Sequence, residues 1–220
     1  MKIKKSYPLL IVTIFFAQLI WGQNSETQNS KSNQTTLSRS GLFIEPSIFY
    51  STEDSSIRTS QLPILNDDTS GNTTGYGLGL RFGGHVAEIL LIGVDARYAK
   101  MKNDDSFYRE VDAAVYNIAP MIVLQTPFFG VRLLGSYVVF GENDPSNGSQ
   151  GIDLKFTEVT GPRLGAGIYV GPISLNLEYQ DLKYNKTEIE SYGSFAVNNT
   201  TDVDTTTKGY ILSLSFPIEL

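Results

Sequence analysis

From Gly41 to the end of the chain, apolar residues fall at every second position in runs of about ten, and each run ends at a break. A period of two belongs to β-strands, whose successive side chains point to opposite faces. A helix would need apolar positions about 3.6 residues apart, so this part of the chain is confined to sheet. Leu42, Ile44, Ile48 and Tyr50 alternate with Glu45 and Ser47, although Phe43 and Phe49 blur the second face. Tyr76, Leu78, Leu80 and Phe82 then alternate with four glycines and Arg81, and Val94, Ala96 and Tyr98 with Gly93, Asp95 and Arg97. The same pattern returns at Tyr116–Leu124, at Val131–Val139 around Arg132 and Ser136, and at Pro162–Val170 against Gly161, Arg163, Gly165 and Gly167. It ends with Ile173–Tyr179 around Asn176 and Glu178, and Tyr210–Phe216 around Ser213 and Ser215. Pro120 and Pro162 each remove a ladder donor from a strand.

Eight such runs, the last at the carboxyl end, let the first strand close on the last and leave no open edge. The connections alternate in length. Short turns fall at Gly84–Glu88, Thr126–Phe128 and Gly171–Pro172, and long polar segments at Thr52–Thr73, Lys100–Asp112, Gly141–Lys155 and Asn185–Thr206. Short periplasmic turns and longer extracellular loops give bacterial membrane barrels this rhythm. The expected fold is all-β: a closed, eight-stranded, antiparallel transmembrane β-barrel of up-and-down topology.

What precedes the barrel fits export. Lys2, Lys4 and Lys5 lead into an apolar run from Leu9 to Trp21, too short for a helix crossing about 30 Å of hydrocarbon. Residues 1–22 are expected to be a signal peptide, 23–40 a flexible polar segment and 41–220 the barrel. Loss of three lysines with the signal takes the formal charge from −6 to −9, which argues against nucleic acid as a partner. The chain has no cysteine, which excludes disulfides, thiolate chemistry and a lipid-bearing cysteine.

Alternation alone allows either face to be outside. A solvated face is usually rich in Lys, Glu and Thr, whereas the polar set here is mostly Gly and Ser with isolated charges, which suits a crowded interior. The aromatics Tyr50, Tyr76, Tyr98, Tyr137, Tyr179, Tyr210 and Phe216 all belong to the apolar set, many near strand ends, as in the interfacial girdles of membrane barrels. In this layout, Gly41–Leu220 resembles the small eight-stranded outer-membrane barrel family of the OmpA transmembrane domain, OmpX and OmpW type. The resemblance implies the cell outer membrane as location, with outer-membrane lipid and lipopolysaccharide around the barrel and a protein partner at the extracellular loops. Members usually end on a terminal aromatic, and here Phe216 is displaced from the end by Pro217–Leu220.

The polar set points Glu45, Arg81, Asp95, Arg97, Arg132, Arg163 and Glu178 inward, where charges must be paired. A salt-bridged plug and a small gated pore both meet that need. Catalysis is not expected. His85, the one histidine, falls in a periplasmic turn, away from the outer rim where a Ser-His constellation would sit. No metal or cofactor is expected either, since the acidic pairs Asp67/Asp68, Asp104/Asp105 and Asp202/Asp204 lack calcium-loop spacing and Gly77/Gly79 lie inside a strand with no helix after them. The expected function is a structural or interaction barrel acting through its long loops, with a mostly plugged lumen. A narrow porin-like channel or carrier for small solutes is the alternative, and Phe43, Phe49, Leu134 and Val138 are candidates to line an apolar pocket within it.

Overall fold

A computed structural model describes residues 41–57, 69–87, 89–105, 111–126, 130–146, 152–170, 172–192, 195–201 and 205–220. The signal-peptide and polar-segment readings, and the pairs Asp67/Asp68 and Asp202/Asp204, lie outside the described residues.

The strands are β1 (Leu42–Ile57), β2 (Thr69–Ala87), β3 (Leu90–Asp105), β4 (Val111–Gln125), β5 (Val131–Val138), β6 (Phe140–Pro145), β7 (Ile152–Val170), β8 (Ile173–Tyr192), β9 (Phe195–Thr201), β10 (Thr205–Ser215) and β11 (Ile218–Glu219). Each pairs antiparallel with its neighbours, and β1 pairs with both β2 and β10, so the sheet closes. Eight staves make the ring, because β5 and β6 are two halves of one and β11 continues β10 against the start of β1. β9 is a short arm paired only with the outer end of β8.

The break at Val139 is a β-bulge. Met121 of β4 pairs with Ser136 and Ile118 with Phe140, so three steps on β4 match four on its partner. Pro120 lies opposite this extra residue, where the ladder is already interrupted, and the Val139 N–H donates to the Ile118 carbonyl at 3.1 Å. The bulge also re-aims side chains: Val138 is fully buried while Val139 and Phe140 both face out. Pro162 is placed similarly, with its outward ring beside a stretch where the β7–β8 pairing lapses between Thr160 and Arg163. In the short turn before β5, Gly130 holds a φ of 63°, and a Cβ there would sit 2.9 Å from the Tyr169 carbonyl oxygen.

The strands run beyond the expected bounds. Segments read as long loops are largely strand: β1 continues from Thr52 to Ile57, β2 begins at Thr69, β3 reaches Asp105, and β8 runs on to Tyr192. The cause is that main-chain ladders need no apolar face. Once a hairpin arm rises into water both faces can be polar, and the alternation that marks a strand in sequence disappears. β2 and β7 have 19 residues each and β8 has 20, about twice what a tilted strand needs to cross a bilayer. On β7 and β8 the in/out parity flips at Glu158, a non-glycine residue at φ 55°, held by the Asn185 amide donating to its carbonyl at 3.0 Å and by Lys186 at its carboxylate.

Candidate functional site

The lumen is filled in three layers. At the short-turn end Phe43, Leu91, Met121, Val123 and Leu134 pack into an apolar cluster. Towards the long-loop end lie two more, one around Phe49, Met101 and Ile211, the other around Val138, Leu154, Phe156, Leu182 and Tyr184. The four residues considered for an apolar pocket are therefore divided among these clusters.

Between them sits the charged layer. Strand register builds its first row, because Glu45 is directly opposite Arg81, and Arg81 opposite Asp95. Arg81 donates to Glu45 at 2.6 Å and to Glu178 at 2.7 Å, and its Nε lies 3.7 Å from Asp95. Arg97 donates to Asp95 at 2.7 Å and to Glu178 at 2.6 Å, while its guanidinium lies 5.5 Å from the Phe49 ring centre. Arg132 donates to Glu45 at 2.8 Å and stacks on Tyr169, and Arg163 reaches Asp95 at 3.3 Å, Asn117 at 3.0 Å and Gln180. All seven charged residues expected inside are linked in one network.

Space for it comes from the inward glycines. A Cβ on Gly165 would sit 2.5 Å from Glu178 Cγ, and one on Gly167 would collide with the Asn176 side chain. Glu53 is a buried carboxylate that the sequence reading assigned to a loop. It continues the parity of Glu45, Ser47, Phe49 and Ser51, and it accepts from the Ser51 hydroxyl at 2.6 Å. Following that parity past Tyr50 would have found it, as the parity of Arg163 and Gly165 would have found Tyr169. The space bounded by Phe49, Glu53, Arg97, Arg163 and Tyr184 is about 20 Å³, room for about one water.

The outside is the inverse. Tyr76 exposes 69% of its surface, while Arg132 exposes none. Leu78, Leu80, Phe82, Leu164, Leu177 and Leu212 are among the exposed apolar residues of the outer face. On β3 the outward apolar run from Leu90 to Tyr98 is long enough for one tilted crossing. Six of the expected girdle residues, Tyr50, Tyr76, Tyr98, Tyr137, Tyr179 and Tyr210, are exposed on this face, and Phe216 is half-buried just past β10. Tyr50 pairs across strands with Tyr76, Tyr98 with Tyr116, and Tyr179 with Tyr210, the last two rings 5.4 Å apart. A closed ring that is apolar outside and charged inside is stable only with hydrocarbon around it. The chain forms a closed transmembrane β-barrel.

No protein-family profile and no curated protein matches the chain. Solved structures match in fold. OprG from Pseudomonas aeruginosa is 14% identical, with 83% of this chain and 98% of that one covered and a TM-score of 0.47. The outer membrane protein AlkL is 11% identical, with 88% and 97% covered and a TM-score of 0.48. Ail, the attachment invasion locus protein of Yersinia pestis, is 17% identical, with 80% and 99% covered and a TM-score of 0.43.

The remaining sites are peripheral. His85 lies at the end of β2, edge-on to Phe43 and 3.9 Å from Glu219, at the short-turn end of the barrel. Asp104 and Asp105 end β3. At the outer end Asp144, Asp153 and Glu190 bring carboxylate oxygens within 4.8 Å of one another. Burial and the nearby Asp144 carboxylate push both Asp153 and Glu190 above the usual carboxylate range. Among the described residues no helix is long and apolar enough to cross a membrane.

Proposed function

We propose that this is a closed, non-conducting outer-membrane barrel that acts through its outer surface, exported by a signal in residues 1–22. The observation carrying this is the filled lumen: the charged layer lies between apolar clusters, with about 20 Å³ of space above it. A conducting path needs continuous water, and eight strands enclose little more than their own side chains. The network then holds the staves together from within. Outer-membrane lipid and lipopolysaccharide surround the belt, and the hairpin arms offer edges and polar faces to a protein partner. Catalysis plays no part in this reading, since His85 lies at the opposite end from those arms.

The test is single-channel recording of the refolded protein in planar bilayers, after heat-modifiable gel mobility has established folding. Wild type, Arg81→Ala and Glu178→Ala are all expected to be silent, because the apolar layers remain when the charged one is cut. A steady wild-type conductance that either substitution alters would replace this reading with that of a gated pore.

A further inference from the structure

Four arginines and three carboxylates are ion-paired in the charged layer, and the imbalance is local. Asp95 alone serves three of the guanidiniums, at 2.7 Å from Arg97, 3.3 Å from Arg163 and 3.7 Å from Arg81. Arg97 shares its other carboxylate, Glu178, with Arg81. Among the described residues Arg163 pairs with no second carboxylate, its other partners Asn117 and Gln180 being neutral. One positive charge is therefore left over on the Arg97–Arg163 side, in a lumen where an uncompensated ion is costly.

The space of about 20 Å³ lies on this same side, bordered by Arg97, Arg163, Asn143 and Glu53. Arg97 Nη1 is buried without a hydrogen-bond partner, and so is Asn143 Oδ1. The Phe49 ring, 5.5 Å from the Arg97 guanidinium carbon, is a weaker acceptor than an anion. A side-chain amide presents either its oxygen or its N–H to a neighbour by rotation, so Asn143 can serve as a donor here. The space takes one small sphere.

Glu53 is a fourth buried carboxylate, yet it does not complete the balance. It accepts from the Ser51 hydroxyl at 2.6 Å and, among the described residues, reaches no arginine closely enough to form an ion pair. The charged and titratable groups around the same space are Arg97 from β3, Arg163 from β7 and Tyr184 from β8, while β4 and β6 contribute the neutral Asn117 and Asn143. Thr73 and Gly209 flank Glu53 on β2 and β10.

We infer that this space is a buried site for one small monovalent anion of chloride size, held by Arg97, Arg163 and the Asn143 amide, and that Glu53 takes up a proton when the anion enters. Two negative charges side by side in so small and dry a space repel strongly, so the anion and the ionised carboxylate exclude each other. The inference goes beyond the closed-barrel reading but rests on its filled lumen.

The test is urea unfolding of the refolded full barrel in nonionic micelles, in sodium chloride, bromide or gluconate at equal concentration. Chloride and bromide are expected to raise the midpoint over gluconate, whose carbon chain cannot enter the space. The gain shrinks as pH rises, with the apparent halide affinity falling about tenfold per pH unit once Glu53 ionises. Glu53→Gln keeps the gain and loses its pH dependence. Anomalous diffraction from bromide-soaked crystals places one peak beside Arg97. Equal midpoints in the three salts, a pH dependence of the gain that survives Glu53→Gln, or no bromide beside Arg97 would overturn the site alone. A wild-type barrel that conducts in planar bilayers would overturn the closed-lumen reading and the site together.

Discussion

Arg81 touches three carboxylates at once, so its loss leaves more charge stranded than that of any other arginine in the lumen. Arg81→Ala leaves Glu45 and Glu178 buried without that donor, which is expected to cost about 3–5 kcal/mol in urea unfolding from detergent micelles. Arg163→Ala is expected to cost less, since two of its partners, Asn117 and Gln180, are neutral and its nearest carboxylate contact is 3.3 Å. Glycines divide in a similar way. Gly165→Ala pushes its Cβ against Glu178 and the Leu177 carbonyl, whereas at Gly135 the nearest atom is a leucine methyl 3.7 Å away. Gly165→Ala should therefore lower the midpoint of the heat-modifiable mobility shift, and Gly135→Ala should leave it nearly unchanged. Equal effects would mean that the network shifts freely to accept the new methyl group.

The hairpin arms are governed by different forces. Above the tyrosine row they are held by ladder hydrogen bonds, by the buried apolar cluster around Ile57, Leu154 and Phe156, and by solvated charges such as the Lys155–Glu142 pair at 3.0 Å. Asp144, Asp153 and Glu190 crowd the outer surface of three neighbouring strands. For Asp153 and Glu190 the folded-state pKa is raised, so the fold prefers their protonated forms. Their penalty is absent below the ordinary carboxylate range and grows as pH rises to the raised folded value. Asp153→Asn should therefore slow amide exchange in the β7–β8 arm at pH 7, with the advantage shrinking as pH falls through that window. An advantage that grows with acidity would reverse the assignment. The bulge at Val139 makes a separate prediction. Deleting Val139 removes only the extra residue and leaves Val138 and Asn143 inward and Phe140 and Glu142 outward, so the chain should keep its folded gel mobility, whereas deleting Tyr137 would reverse the face of Ser136 and the residues before it and should abolish that mobility.

For the whole molecule, layers in series are harder to breach than a single gate. Phe43→Ala with Leu134→Ala opens only the short-turn cluster, and each truncation costs about 2–5 kcal/mol. The doubly truncated barrel should be less stable yet still silent in bilayers. A conducting double variant would mean that the charged layer passes ions by itself.

The eight staves, their direction and the inward face of the seven charged residues from Glu45 to Glu178 follow from the sequence alone, because a period of two is a local property that survives without knowledge of any partner. Arg81, Asp95 and Glu178 were legible as lumen residues for that reason. Which of them meet is a matter of register between strands distant in the chain, and only the closed ring places Glu178 within 2.7 Å of Arg81. Strand length was hidden as well. Glu53 and the arms beyond it lie where water covers the outer face and the alternation loses its contrast, so the ladder and a few buried apolar residues such as Ile57, Leu154 and Phe156 carry the strand onward.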